Sequence, residues 1–134
     1  MALLRLEVVT PERTVINEYA ESIIVPGIDG YIGFMNNHAP LVAGLAMGIV
    51  HYGPEHGEKR RIAITGGFVE VADNRVTILA DTAELDTEID VGRAQAARER
   101  AERRLRDRSD QVDRARAEAA LQRALNRLRA ARAI

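Results

Sequence analysis

The sequence predicts an α+β chain, a β-sandwich followed by an antiparallel two-helix hairpin, and three observations carry that prediction. From Leu3 to Asp81 short apolar runs alternate between turn residues, as half-buried strands do. After Ala83 the apolar spacing lengthens to the helical period, in a segment rich in Ala, Arg, Glu and Leu. The charge changes sign near the same place. Residues 1–92 hold 14 acids against 6 Lys and Arg, net -8, and residues 93–134 hold 13 arginines against 6 acids, net +7, so the overall -1 is a cancellation. An acidic body with a basic arm is suited to an acidic partner or ligand, because summed charge steers association. The 134 residues make one ordinary domain or a small domain with an appendage, and the boundary is drawn after Asp86, giving units 1–86 and 87–134.

Each strand has a local reason. In "LRLEVV" Leu4, Leu6 and Val8 share a face, and the run stops at Thr10-Pro11, where proline removes a ladder donor. "ESIIVPG" and the glycine-punctuated "GIDGYIGF" follow. "MGIVHY" and "KRRIAIT" flank "GPEHGE", which reads as a hairpin loop. In "FVEVADNRVTILA" Val69 and Val71 share a face, Asp73-Asn74 suits a tight turn with positive φ, and Val76, Ile78 and Ala80 alternate after it. Strands at this spacing favour a sandwich over a parallel sheet.

The helices are read from caps and stripes. "TEID", Thr87 to Asp90, fits a capping box, and Glu84, Asp86 and Glu88 suit the start of a helix. Ala94, Ala97, Ala101 and Leu105 form one stripe, with Glu99–Arg103 and Glu102–Arg106 as supporting i,i+4 pairs. "RSDQVD" interrupts it, Asp110 with Asp113 can cap a second helix, and Ala117, Leu121, Ala124, Leu128 and Ala131 form the second stripe. Gly92 inside the first helix costs about 1 kcal/mol. Stripes made mostly of alanine offer little apolar area, so the hairpin is held weakly and can detach, while its strong helix formers keep each segment helical. A permanently docked hairpin is the alternative.

Several function classes lack their residues. The chain has no cysteine, so no disulfide framework and no thiol nucleophile. The run Pro40–Val50 falls well short of the ~20 apolar residues of a spanning helix, and no signal peptide is expected at the N-terminus. His38, His51 and His56 form no catalytic or metal-binding set, so neither catalytic residues nor a metal site is expected. No glycine-rich phosphate loop opens a helix. The arginine helices could meet nucleic-acid phosphates, but their interleaved acids and lack of aromatics argue against that partner.

"HAPL" at His38–Leu41, "GGFVEV" at Gly66–Val71, "VTILAD" at Val76–Asp81 and "IDVGRA" at Ile89–Ala94, in that order and ahead of an alanine-rich hairpin, resemble the epsilon subunits of bacterial F-type ATP synthases. The resemblance covers essentially the whole chain. It implies a ten-stranded sandwich seated on the gamma subunit and the membrane rotor ring of c subunits. It also implies a C-terminal hairpin that extends along gamma, meets the alpha and beta subunits of the catalytic head and inhibits ATP hydrolysis. The subunit so implied is non-catalytic, needs no cofactor, and is peripheral on the cytoplasmic face of the plasma membrane. The competing function is a helical-hairpin adaptor with no effect on ATP hydrolysis.

The same resemblance implies a regulatory ATP site. Members that bind ATP carry I/L-D-x-x-R-A, matched here by Ile89, Asp90, Arg93 and Ala94, with Arg100, Arg123 and Arg127 at the family's further arginine places and Glu84 just ahead. Guanidinium groups suit phosphate oxygens and a carboxylate can accept from adenine or ribose. The alternative is that Asp90 only caps the helix and the arginines form a solvated face. Tyr31 and His38 are the implied rotor-ring contacts. Relatives usually read G-E-L-G where this chain has Gly30-Tyr31-Ile32-Gly33, and often P-G-H where it has Asn36-Asn37-His38, so the ring contact carries less charge.

Overall fold

The computed structural model describes residues 2–109 and 111–134. The chain divides into two units, Met1–Asp86 and Thr87–Ile134. The first is built from β1 (Leu4–Val9), β2 (Thr14–Ala20), β3 (Ser22–Gly27), β4 (Gly30–Phe34), β5 (Leu41–Gly53), β6 (Arg60–Ala72), β7 (Arg75–Ala80) and β8 (Ala83–Leu85); the second holds α1 (Val91–Arg106) and α2 (Arg114–Ala130).

The strands follow the order β2-β1-β7-β6-β5-β3-β4, with β8 on β6. β1 and β7 run parallel and the other pairings are antiparallel. β6 serves two neighbours in succession, β8 along Ile62–Ile64 and β7 along Gly67–Ala72. The change of partner falls at Gly66 and Gly67, both at positive φ (128° and 137°), and a Cβ at Gly67 would lie 2.0 Å from the Leu79 carbonyl oxygen. Only glycine fits there, and the kink lets one strand serve both layers of the sandwich.

This corrects the strand count. The resemblance implied ten strands, and the described residues form eight, of which β5 and β6 are each a continuous 13-residue strand. Two strands had no reading in sequence. β2 buries Val15, Ile16 and Ala20 without strict alternation, and β8 is only three residues long.

The core is legible residue by residue. Leu4, Leu6 and Val8 are fully buried, as their shared face requires, and meet Ile23, Val25, Phe34, Val50, Ile62, Ile64, Val69, Val76 and Ile78 in one cluster. Burying each such side chain contributes about 1.5–3 kcal/mol, so the sandwich has an apolar core of its own. The β6–β7 turn is as the sequence predicts, with Asp73 and Asn74 at φ 52° and 59°. Asn74 reaches further, since its Oδ1 accepts from the backbone N–H of Asn37 at 2.6 Å and pins the loop before His38. Tyr52 is nearly buried, and desolvation, followed by the charge of Glu18, holds its phenol above the usual tyrosine range.

Asp86 ends the first unit in the sheet rather than in a helix. Its backbone N–H donates to Arg61 O at 2.9 Å and its carboxylate accepts from Arg61 N at 3.2 Å. The Arg60 guanidinium grips the same carboxylate through Nη2 at 2.8 Å and Nε at 3.2 and 3.3 Å. The expectation that Glu84 and Asp86 sit at a helix start is therefore overturned: Glu84 lies in β8 opposite Ala63, and Asp86, just past β8, is held by Arg60 and Arg61 of β6.

Candidate functional site

α1 starts three residues later than the capping box implies. Asp90, not Thr87, is the N-cap of α1, with extended backbone angles and Oδ1 accepting from Arg93 N at 3.0 Å. Asp is a stronger cap than Thr, and the Asp90 carbonyl already takes the Ala94 N–H at 3.0 Å. Gly92 thus lies in the first turn, where the N–H groups lack helical partners anyway, and the interior-glycine cost does not apply. α2 is capped in the same way by Asp113, which accepts from Arg116 N at 3.0 Å; the suggested role of Asp110 lies outside the described residues. Its other end closes as a Schellman motif, with Arg132 at φ 58° and Ala133 N donating to Leu128 O at 2.8 Å.

α1 and α2 pack along one another through small side chains. Ala94 and Ala101 are the buried residues of α1; Ala117, Ala124, Asn126, Leu128 and Ala130 are those of α2. Ala97, Leu105 and Leu121 of the expected stripes are only half-buried, as is Ala131, the C-cap. The supporting ion pair also differs from expectation: Glu102 meets Arg98 at 3.6 Å rather than Arg106, on the preceding turn of the same helix.

The implied nucleotide residues separate into two sets. Asp90, Arg93 and Arg100 lie exposed on or at the start of α1; Arg123, exposed, and Arg127, half-buried, lie one turn apart on α2. Antiparallel packing puts the start of α1 and the end of α2, and so Asp90, Arg93 and Arg127, at the hairpin end away from the connector. Ile89 and Ala94 are buried and serve the packing. Among the described residues Arg93, Arg100 and Arg123 make no ion pair with a carboxylate, so three permanent charges on the hairpin face solvent. Glu84 belongs to the first unit, in β8.

The sandwich carries a second candidate surface. Tyr31 follows the tight β3–β4 turn and is 58% exposed, yet its hydroxyl accepts from Ile49 N at 3.3 Å, which fixes the ring. Gly48 permits this, since a Cβ there would meet Pro26 Cβ at 2.5 Å and the Tyr31 hydroxyl at 3.0 Å. His38 stacks edge-on against Phe34 with centroids 4.9 Å apart, and its Nδ1 lies 2.6 Å from Ala39 O. Beside them runs an apolar row that the sequence reading missed. Ile28 N donates to Gly44 O, Gly44 lies opposite Phe68, and Phe68 lies opposite Leu79, with Val42 nearby on β5. Ile28, Val42, Phe68 and Leu79 are each more than half exposed. The signal was present in "FVEV" and "VTILA", where Phe68 and Leu79 occupy the solvent phase of alternating strands.

These features define a class: a β-sandwich with an exposed apolar row, followed by a basic pair of helices. Family models agree with both halves. The ATP synthase delta/epsilon chain β-sandwich domain matches residues 3–86, and the ATP synthase delta/epsilon chain long α-helix domain matches residues 87–132. The chain belongs to the ATP synthase delta/epsilon family. It is 54% identical to the ATP synthase epsilon chain of Symbiobacterium thermophilum over 135 residues, covering 100% of this chain and 96% of that one. It is 53% identical to the ATP synthase epsilon chain of Syntrophomonas wolfei over 107 residues, 80% and 78% of the two chains. A chain in the cryo-EM structure of the Euglena gracilis mitochondrial ATP synthase, OSCP/F1/c-ring, superposes with a TM-score of 0.74 at 28% identity, over 91% of this chain and 77% of that one.

Asp90 has one role that the geometry shows, the cap, and a variant pair isolates it. Asp90→Ala is expected to destabilise the helical unit by about 1 kcal/mol, whereas Asp90→Asn, an equally good cap, leaves it nearly unchanged. Thermal loss of helical circular dichroism reads the difference; equal loss in both variants would mean that the carboxylate charge, not the cap, holds the helix start.

Proposed function

We propose that this chain is the rotor, central-stalk subunit of a proton-translocating ATP synthase, a non-catalytic coupling and regulatory part whose hairpin inhibits ATP hydrolysis and is restrained by ATP. The observation that carries the regulatory half is that Arg93, Arg100 and Arg123, which make no ion pair among the described residues, lie exposed on a hairpin whose buried side chains are mostly alanine. Each buried methyl contributes only about 0.8 kcal/mol, so a ligand of modest affinity can decide whether the helices stay together. ATP has the right chemistry. Its phosphate oxygens accept bidentate bonds from guanidinium groups, which keep their charge at any working pH. Arg93 and Arg100 would contribute from α1, and Arg123 and Arg127 from α2, so the ligand bridges helices that separate when the hairpin opens. Once open, the same arginines would face acidic surfaces of the alpha and beta subunits.

The coupling half rests on the sandwich. The Ile28, Phe68, Leu79 row offers an apolar patch of the kind that marks protein contact, and its proposed occupant is the gamma subunit. Tyr31 and His38 would face the ring of c subunits, which places the chain peripherally on the cytoplasmic face of the plasma membrane. No described helix is long and apolar enough to cross a membrane. An adaptor without effect on hydrolysis would share the fold but not the response to ATP.

ATP at 100-fold over its Kd stabilises the bound form by about 2.7 kcal/mol. Arg93→Ala with Arg123→Ala is expected to abolish the ATP-induced rise in Tm of the isolated chain while leaving its melting without nucleotide almost unchanged. In a synthase depleted of its own epsilon subunit, the wild-type chain is expected to lower hydrolysis. No inhibition there would leave the adaptor reading standing, and no stabilisation of the wild-type chain at millimolar ATP would remove the nucleotide from the mechanism. Tyr31→Ala is expected to reduce proton-driven synthesis more than hydrolysis by the detached catalytic head; equal loss in the two assays would place Tyr31 away from the ring.

A further inference from the structure

The connector between the helices contains neither glycine nor proline, and neither residue occurs anywhere after Gly92. No residue in this stretch is therefore a backbone bar to one continuous helix from α1 into α2. What stops the helix is a set of side-chain hydrogen bonds. In a continuing helix the carbonyl of Leu105 would accept from the N–H of Ser109, and that of Asp107 from the N–H of Gln111, by the i to i+4 rule. All four groups are diverted. Arg114 donates through Nη1 to Leu105 O at 2.9 Å and through Nη2 to Asp107 O at 2.9 Å. Ser109 N instead donates to Asp107 Oδ1 at 2.8 Å, and Gln111 N to Ser109 Oγ at 3.2 Å.

Two pairings of one set of groups are thus available, and the side chains of Asp107, Ser109 and Arg114 select the turn. Asp107 and Ser109 act within two residues of themselves. Among the described residues Arg114 alone ties the second helix to Leu105 O and Asp107 O at the end of the first, with a planar fork that fits two acceptors at once and a positive charge that suits a helix C-terminus. We infer that Arg114 is a latch: its fork over Leu105 O and Asp107 O keeps the connector a turn, and its release allows the two helices to join as one. It is a positioning residue for the regulatory hairpin proposed above and rests on that reading for its consequence in the enzyme, while the latch itself is a property of the isolated chain.

The absence of cysteine in the chain allows spin labels to be placed at two positions only, Glu99→Cys and Ala119→Cys, both exposed on their helices. Packed helices lie about 8–10 Å apart, whereas in a continuous helix these sites, 20 residues apart in sequence, would be separated by about 30 Å. Dipolar spectroscopy on the full chain reads the two populations. Arg114→Ala is expected to raise the open-to-closed ratio about tenfold, equivalent to ~1.4 kcal/mol, with helical circular dichroism retained or increased. Arg114→Lys is expected to fall between, because an ammonium cannot fork to two carbonyls. Arg116→Ala, which removes the same charge two residues further along α2 and touches neither carbonyl, is expected to match the parent. A distance distribution for Arg114→Ala equal to that of Arg116→Ala overturns the latch. A long, broad distribution with loss of helicity overturns it too, since the bonds would then only stabilise the turn. Because no nucleotide or synthase enters this measurement, its failure is distinct from failure of the proposed function.

Discussion

The side chains buried in α1 and α2 are mostly alanine, and the behaviour of the second unit follows from that constraint. Ala94, Ala101, Ala117, Ala124 and Ala130 are buried, and Leu128 is the one large side chain fully enclosed in the helical unit. Alanine lets helices approach closely and is the best helix former, but it removes little apolar area from water. Each helix is therefore stable as a helix and weakly held as a partner. The sandwich is built the opposite way: Phe34, Leu4, Leu6, Ile23, Ile62 and Ile64 are all fully enclosed and fix one arrangement. Asp86, gripped by Arg60 and by the Arg61 backbone, marks where the rigid part ends.

Weak apolar contact gives polar groups an influence that they lack in an ordinary core. Bonds to charged groups are typically worth more than neutral ones, so Arg114 over two carbonyls can matter as much as several buried methyls. The exposed Arg93, Arg100 and Arg123 add a repulsive background on the same helices, which an anion such as ATP would relieve. A hairpin of this kind responds to small free energies. The acidic sandwich and basic hairpin also explain the neutral total charge, which conceals two surfaces suited to different partners.

The legible parts of the fold were those where one local rule acts without competition. Alternation in "LRLEVV" found β1 and its buried face, and Asp73-Asn74 found the β6–β7 turn. "KRRIAIT" and "FVEV" read as separate runs because the glycines between them look like a break, whereas they are a kink inside β6, a distinction set by the close approach of Leu79 O to Gly67. The helix start was misplaced because Glu84 and Asp86 resemble helix-start acids in sequence, while tertiary contact with β6 claims them. Within the candidate site, Asp113 was legible as a cap, Asp90 was singled out as the partner of a Thr87 cap rather than as the cap itself, and the arginine set rested on the family resemblance. The exposed row of Ile28, Phe68 and Leu79 could not, because it crosses four segments distant in the chain and exists only once the ladder register is set. The Arg114 fork was hidden for the same reason, reaching seven and nine residues back across a turn.

Native-state hydrogen exchange tests the inequality between the two units most directly, because it reads local opening free energies amide by amide. Amides within Ala94–Arg104 and Ala117–Leu128 are expected to exchange through openings that leave the sandwich intact, with free energies several kcal/mol below those of Ile62–Ile64, Val69–Val71 and Val76–Ile78. Equal protection across both sets, with a common response to denaturant, would mean that the helices open only when the whole chain unfolds, and would contradict a hairpin held by methyl contacts and a few polar bonds.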